Sequence, residues 1–102
     1  MRDWVASLEA MVDIKLKTWD KHRKWENGRV IHLLWQWEQT LIKMDVFWLD
    51  GQEAVRLRYI APSDSHDFTW NGLVKKTYRK VEHYVAHWAM SLLHPPIDPE
   101  VD

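Results

Sequence analysis

Residues 29–49 read Arg29-Val30-Ile31-His32-Leu33-Leu34-Trp35-Gln36-Trp37-Glu38-Gln39-Thr40-Leu41-Ile42-Lys43-Met44-Asp45-Val46-Phe47-Trp48-Leu49, and the fold turns on them. Wound as a helix, they put Val30, Leu34, Trp37, Leu41 and Met44 on one stripe, and Ile31, Trp35 and Ile42 widen it to an apolar arc of about 200°. Stretched as strands, they put Ile31, Leu33, Trp35 and Trp37 on one face, after which the parity switches to Ile42, Met44, Val46 and Trp48. Such a switch needs a turn or bulge near Gln39. No Gly, Pro, Asn or Ser stands there, which speaks for the helix. The Trp, Val and Ile content speaks for strands. So does Asn27-Gly28 just upstream, a dipeptide that tolerates φ > 0 and marks a hairpin. Strands are the preferred reading, with a helix over 29–44 as the alternative.

Working outward, Asp50-Gly51 separates Val46–Leu49 from Ala54–Ile60 and predicts a second hairpin. Val55, Leu57 and Tyr59 then share one face, with Arg56 and Arg58 on the other. Upstream, Asn27-Gly28 turns 12–25 back onto 29–38. Ile14 and Leu16 alternate with Lys15 and Lys17, so 12–19 reads as a strand. Trp4, Leu8 and Met11 are spaced by four and three, so 3–11 reads as a short helix. Residues 61–71, rich in Ser, Asp, Asn and Pro, read as a polar loop. Val74, Tyr78, Val81, Val85, Trp88 and Leu92 fall within an arc of about 80° and predict a long C-terminal helix, closed by Pro95-Pro96.

The expected class is therefore α+β: an antiparallel sheet of three to four strands packed against a long C-terminal helix, with a short N-terminal one. Residues 1–94 make a single domain and 95–102 a flexible acidic tail. Asp13–Trp19 followed by Trp25-Glu26-Asn27-Gly28 resembles Val55–Ile60 followed by Trp70-Asn71-Gly72, a weak echo of an internal repeat that chance explains as well.

The chain has 102 residues, one domain's worth, and its 46% apolar and 28% charged residues can form a core. A net charge of -1 argues against a general nucleic-acid coat protein. Protonating all six histidines would carry it to +5, so its sign reverses on mild acidification. With no cysteine there is no disulfide, no thiolate nucleophile and no thiolate metal site. No membrane span or signal pattern is seen, and a cytoplasmic protein is expected.

Candidate chemistry is sparse. The predicted C-terminal helix carries Lys76, Arg79, Lys80, His83, His87 and His94 opposite its apolar stripe. His83 and His87 have a spacing that lets two imidazoles reach one metal ion, but a third ligand is missing and the neighbouring cations oppose a divalent ion. No metal and no cofactor is expected. The face formed by Lys76, Arg79, Lys80, His83 and His87 is first a solvated surface and second an anion or nucleic-acid contact. Ser63-Asp64-Ser65-His66-Asp67 holds nucleophile, base and acid types, yet it reads as a polar turn, since a triad is made by geometry and not by adjacency. No Gly-rich phosphate loop or nucleophile elbow is present. An enzyme is thus the less favoured expectation.

The surplus of tryptophan is the most informative feature: eight Trp against three Tyr and two Phe. Some must fill the core, with Trp37 and Trp88 the foremost candidates. The remainder suggests either a protein interface, where Trp concentrates binding energy, or an aromatic pocket between sheet and helix. The expected function is a non-enzymatic binding module, a homodimer joined through Trp35, Trp37, Phe47 and Trp48. Small-molecule binding in an aromatic pocket is the first alternative, and nucleic-acid binding by the basic helix face the second. No motif is specific enough to name a family.

Overall fold

The computed structural model describes residues 2–26, 30–61 and 68–93. A helix α1 (Arg2–Lys15) leads into five strands, β1 (Asp20–Glu26), β2 (Val30–Trp37), β3 (Thr40–Leu49), β4 (Gln52–Ile60) and β5 (Phe68–Leu73). A single 3-10 turn (Val74–Lys76) and the helix α2 (Tyr78–Leu93) complete the chain. The strands form one antiparallel sheet in the order β1-β2-β3-β4-β5, each paired with its neighbour in sequence. The α+β class and the C-terminal helix agree with the expectation, while the sheet has five strands.

Residues 30–49 are two strands joined by a turn, β2 and β3. The parity switch is made by a two-residue turn at Glu38-Gln39, with Trp37 paired to Thr40. Glu38 takes φ 55 and so does the work expected of Gly or Asn. The Gln36 amide donates to the Glu38 carbonyl at 2.8 Å and braces the turn. In the next hairpin both Asp50 (φ 52) and Gly51 (φ 77) have positive φ, as a type I′ turn requires.

Two expectations are corrected. Residues 12–15 continue α1 and 16–19 are a turn, so 12–19 is not a strand. Val5, Leu8, Met11 and Val12 recur at helical spacing and are all buried, while Ile14 is 72% exposed. Ile14 thus stands on the solvent side of the helix, and its alternation with Lys15 and Lys17 reflects no buried face. The true strand, β1, is Asp-Lys-His-Arg-Lys-Trp-Glu, exposed along its whole length. Its cations line a sheet edge, where they discourage pairing with a foreign strand. Likewise, the last residues of the expected polar loop form β5, which pairs with β4 from Tyr59↔Phe68 to Ala54↔Leu73. Asn27-Gly28, Ser63–Asp67, His94, Pro95-Pro96 and the tail lie outside the described residues.

The pleat sorts side chains to two faces. One carries Ile31, Leu33 and Trp35 of β2, Ile42, Met44 and Val46 of β3, and Val55 and Leu57 of β4. These meet Leu8, Val12 and Leu16 of the N-terminal segment and Val81, Val85 and Trp88 of α2 in one core. The α1 helix is tied over β1 and β2: Lys21 Nζ reaches Glu9 at 2.6 Å and Asp13 at 2.9 Å, and Trp35 Nε1–H donates to Asp13 at 3.1 Å. The α2 helix sits over β4, where Trp88 stacks on Tyr59 at 4.8 Å. Both helices thus cover the same face, and among the described residues nothing covers the other. No described helix is long and apolar enough to cross a membrane.

Candidate functional site

The uncovered face is a lattice whose rows follow from the register. One row runs His22, Leu34, Lys43, Arg58 across β1 to β4; the next runs Lys24, His32, Asp45, Arg56 and reaches Asn71 on β5. Apolar residues flank them: Leu41 pairs with Ile60 on one side, and Val30, Phe47 and Ala54 stand on the other. The sequence made this legible in part, since the alternation of Arg56 and Arg58 with Val55, Leu57 and Tyr59 placed both arginines away from the core.

Asp45 is the unexpected member. It is only 3% exposed although no helix lies over it. Its neighbours bury it. His32 Nδ1 is 2.7 Å from Oδ1. Arg56 donates to Oδ2 through Nε at 3.3 Å and Nη2 at 3.0 Å, and Arg58 Nη2 at 3.3 Å. Burial alone would raise the Asp45 pKa; the hydrogen bonds from His32 and Arg56 outweigh it and hold the carboxyl below its ordinary value. His32 also meets Glu26, Nε2 to Oε1 at 2.8 Å. Hydrogen bonding to Asp45 first, and to Glu26 second, raises its pKa. A concavity of about 390 Å³ opens beside this network, lined by Lys24, His32, Lys43, Asp45 and Arg58 among others.

A second concavity, of about 330 Å³, lies at the end of the sheet that carries the β3–β4 turn. Trp4 of α1, Trp48 of β3, Gly51 through Glu53, Leu73 and Val74 line it. Both indoles are open to solvent, Trp4 at 46% and Trp48 at 41%. Trp25 is half-exposed on the same face and near the same end, since it pairs with Ile31, which pairs with Val46.

The four residues expected to form an aromatic surface do not form one. Trp35 is fully buried under α1, as the third inward residue of β2. Phe47 stands on the uncovered face, while Trp48 stands on the helix-bearing one. Trp37 and Trp48 lie at opposite ends, because Trp37 pairs with Thr40 and eight residues of strand span about 26 Å. Trp37, foremost for the core, is 37% exposed and packs against Trp19 at 6.4 Å at the sheet's rim; Trp88 is buried as expected. Trp4, placed on a helix by its spacing, was missed as a surface residue. Its exposure follows from its facing the end of the sheet instead of its middle.

On α2, Arg79, Lys80, His83 and His87 are exposed on the side away from Val81 and Val85, and Lys76 is exposed in the turn before it. They share an arc of about 100°. His83 lies edge-on to the Tyr84 ring at 5.8 Å. No group of three metal-ligating side chains occurs among the described residues. In comparison with known proteins the chain matches no family model, no curated protein and no solved structure, so the two concavities are read from their own chemistry.

Proposed function

We propose that this chain is a non-enzymatic binding module that pairs with a second copy of itself through the aromatic end of the sheet. One observation carries the reading: Trp4 and Trp48, from different elements, open onto one cleft and leave nearly half of each ring in water. A buried Trp hides roughly 150–250 Å², so covering two such rings recovers a hydrophobic gain the isolated chain forgoes. Trp25, half-exposed on the same face, extends the apolar end. A two-fold contact would use this patch on both copies, with Trp4 and Trp48 as its energetic centre. The sheet edge at β1 is an unsuitable alternative seam, since Lys21, His22, Arg23 and Lys24 would face like charges.

Light scattering on Trp48→Gln tests this. The substitution exposes no core, so the variant should stay folded and run as a monomer at concentrations where the natural chain is paired. A variant that stays paired as tightly as the natural chain removes Trp48 from the contact.

The concavity itself favours a second reading, capture of a small apolar molecule between Trp4 and Trp48. Its 330 Å³ is at the lower end of the range of about 300–1,000 Å³ for ligand pockets. A monomeric chain whose tryptophan emission shifts with a small aromatic compound, and does not in Trp48→Gln, would select that reading over pairing.

A further inference from the structure

We propose that the uncovered face of the sheet docks an extended acidic segment of a partner protein, with Lys24, Lys43, Arg56 and Arg58 receiving its carboxylates. This site is separate from the aromatic end and stands whether or not the chain pairs there.

The charge count on the face is the first support. Its two central rows hold Lys24, Lys43, Arg56 and Arg58 with His22 and His32, against Asp45 within the rows and Asp20 and Glu26 at the two rims. Asp45 has spent both oxygens, one on His32 and the other on the two arginines. Glu26 is bonded to His32. Lys24 and Lys43 make no ion pair with any described residue. Positive charge is thus in local surplus in a chain whose net charge is -1.

Geometry is the second support. Asp45 pins Arg56 and Arg58, so they lose little side-chain freedom on binding. Successive rows of one face are about 6.6–6.8 Å apart, which is also the spacing of alternate side chains in an extended peptide. Such a segment lying along β3 can set a carboxylate at each charged row and an apolar side chain over Leu34, Leu41 or Phe47. The concavity of about 390 Å³ beside Lys43 and Arg58 gives it depth.

A single-stranded nucleic acid would also seek cations, but it gains much of its affinity from bases stacked on aromatic rings. Phe47 is the only Phe, Tyr or Trp on the two central rows and their described neighbours, and the exposed Trp side chains described belong to the helix-bearing face. The face therefore fits an acidic peptide better.

The test uses the full chain and two fluorescein-labelled peptides, one alternating Glu with Val and one alternating Gln with Val, beside labelled oligothymidylate. Fluorescence anisotropy at low salt should show the Glu peptide bound at least about tenfold more tightly than the Gln peptide, with affinity falling as salt rises. Lys24→Gln with Lys43→Gln should weaken the Glu peptide by about tenfold, two rim charge contacts being worth roughly that factor. Neither lysine supports the fold, so the melting temperature should hold. Equal binding of the two peptides, or a double variant that melts as the natural chain does and binds the Glu peptide as well, overturns the proposal. Tighter binding of oligothymidylate than of the Glu peptide also overturns it, and makes the face a nucleic-acid site.

Discussion

His32 and Asp45, facing one another on β2 and β3, are joined Nδ1 to Oδ1 at 2.7 Å, and the other imidazole nitrogen meets Glu26 at 2.8 Å. Carboxylates only accept, so an imidazole between two of them must donate at both nitrogens, which makes it the imidazolium. The polar network on the uncovered face is therefore built around a charged histidine as well as a buried carboxylate.

This arrangement has a pH signature. The His32 pKa is raised above its ordinary value of about 6.5. Its contribution to stability is then complete below that value and is lost as pH rises through the raised one. Arg56 and Arg58, which also face Asp45, oppose the imidazolium, and the two carboxylates prevail. Urea unfolding should show stability falling on the alkaline side of about pH 6.5, and His32→Gln should flatten that slope. A slope unchanged in the variant would assign the titration elsewhere.

Asp45 responds in the opposite sense. Its folded pKa is lowered, so its contribution is present above the ordinary value of about 3.9 and is lost as pH falls through the depressed one. Asp45→Asn should destabilise the chain by about 2–4 kcal/mol at neutral pH, because it leaves two guanidiniums and an imidazolium crowded without their counter-charge. The loss is smaller than for a fully buried pair because the Arg56 and Arg58 side chains are 43% and 29% exposed and water screens them. A loss under about 0.5 kcal/mol in urea unfolding would mean the network is ornamental to stability.

Two contacts between β1–β2 and α1 should differ in weight. Trp35 is fully buried and donates to Asp13 at 3.1 Å. Trp35→Phe removes ring volume and that bond, and should cost about 1–3 kcal/mol. Lys21 bridges Glu9 and Asp13, with 30% of its side chain exposed. Burial works to lower its pKa, and the hydrogen bonds to Asp13 and Glu9 outweigh it and raise it. Lys21→Ala should cost at most about 1 kcal/mol and less in high salt. Paired thermal melts in low and high salt check both.

The two hairpin turns give a test of backbone strain. Glu38 holds φ 55, a conformation that costs an L-residue about 1 kcal/mol and that Asn tolerates better. Glu38→Asn should raise stability by about 0.5–1 kcal/mol, since the Gln36 bond is to the backbone and survives. Gly51→Ala should lower it by about 1 kcal/mol from φ 77 alone, because no atom lies within 4 Å of the added methyl. Chemical denaturation of the two variants should move the midpoint in opposite directions.

Those turns also explain how far the fold could be read from the chain. Asp50-Gly51 announced its hairpin, whereas Glu38-Gln39 hid behind residues that seldom turn, and β2 and β3 showed themselves by composition alone. β1 escaped because a strand at an edge, anchored to α1 by Lys21 and Arg23 in place of apolar contacts, carries no hydrophobic alternation. β5 escaped because Asn71-Gly72 reads as a turn wherever pairing with β4 cannot be foreseen. The candidate sites fared differently for a related reason. The outward direction of Arg56 and Arg58 followed from period two, but their meeting with Asp45 and His32 depends on the register across three strands. Trp4 and Trp48 come from elements 44 residues apart, and only the docking of α1 brings them to one cleft.

Pairing through the aromatic end is open to sedimentation velocity on the untagged chain over a wide range of concentration. The boundary should move from one species of 12.4 kDa toward one of twice that mass as concentration rises, and Trp48→Gln should abolish the shift. A single 12.4 kDa species at every concentration would contradict it and leave Trp4 and Trp48 to a ligand or to a different partner.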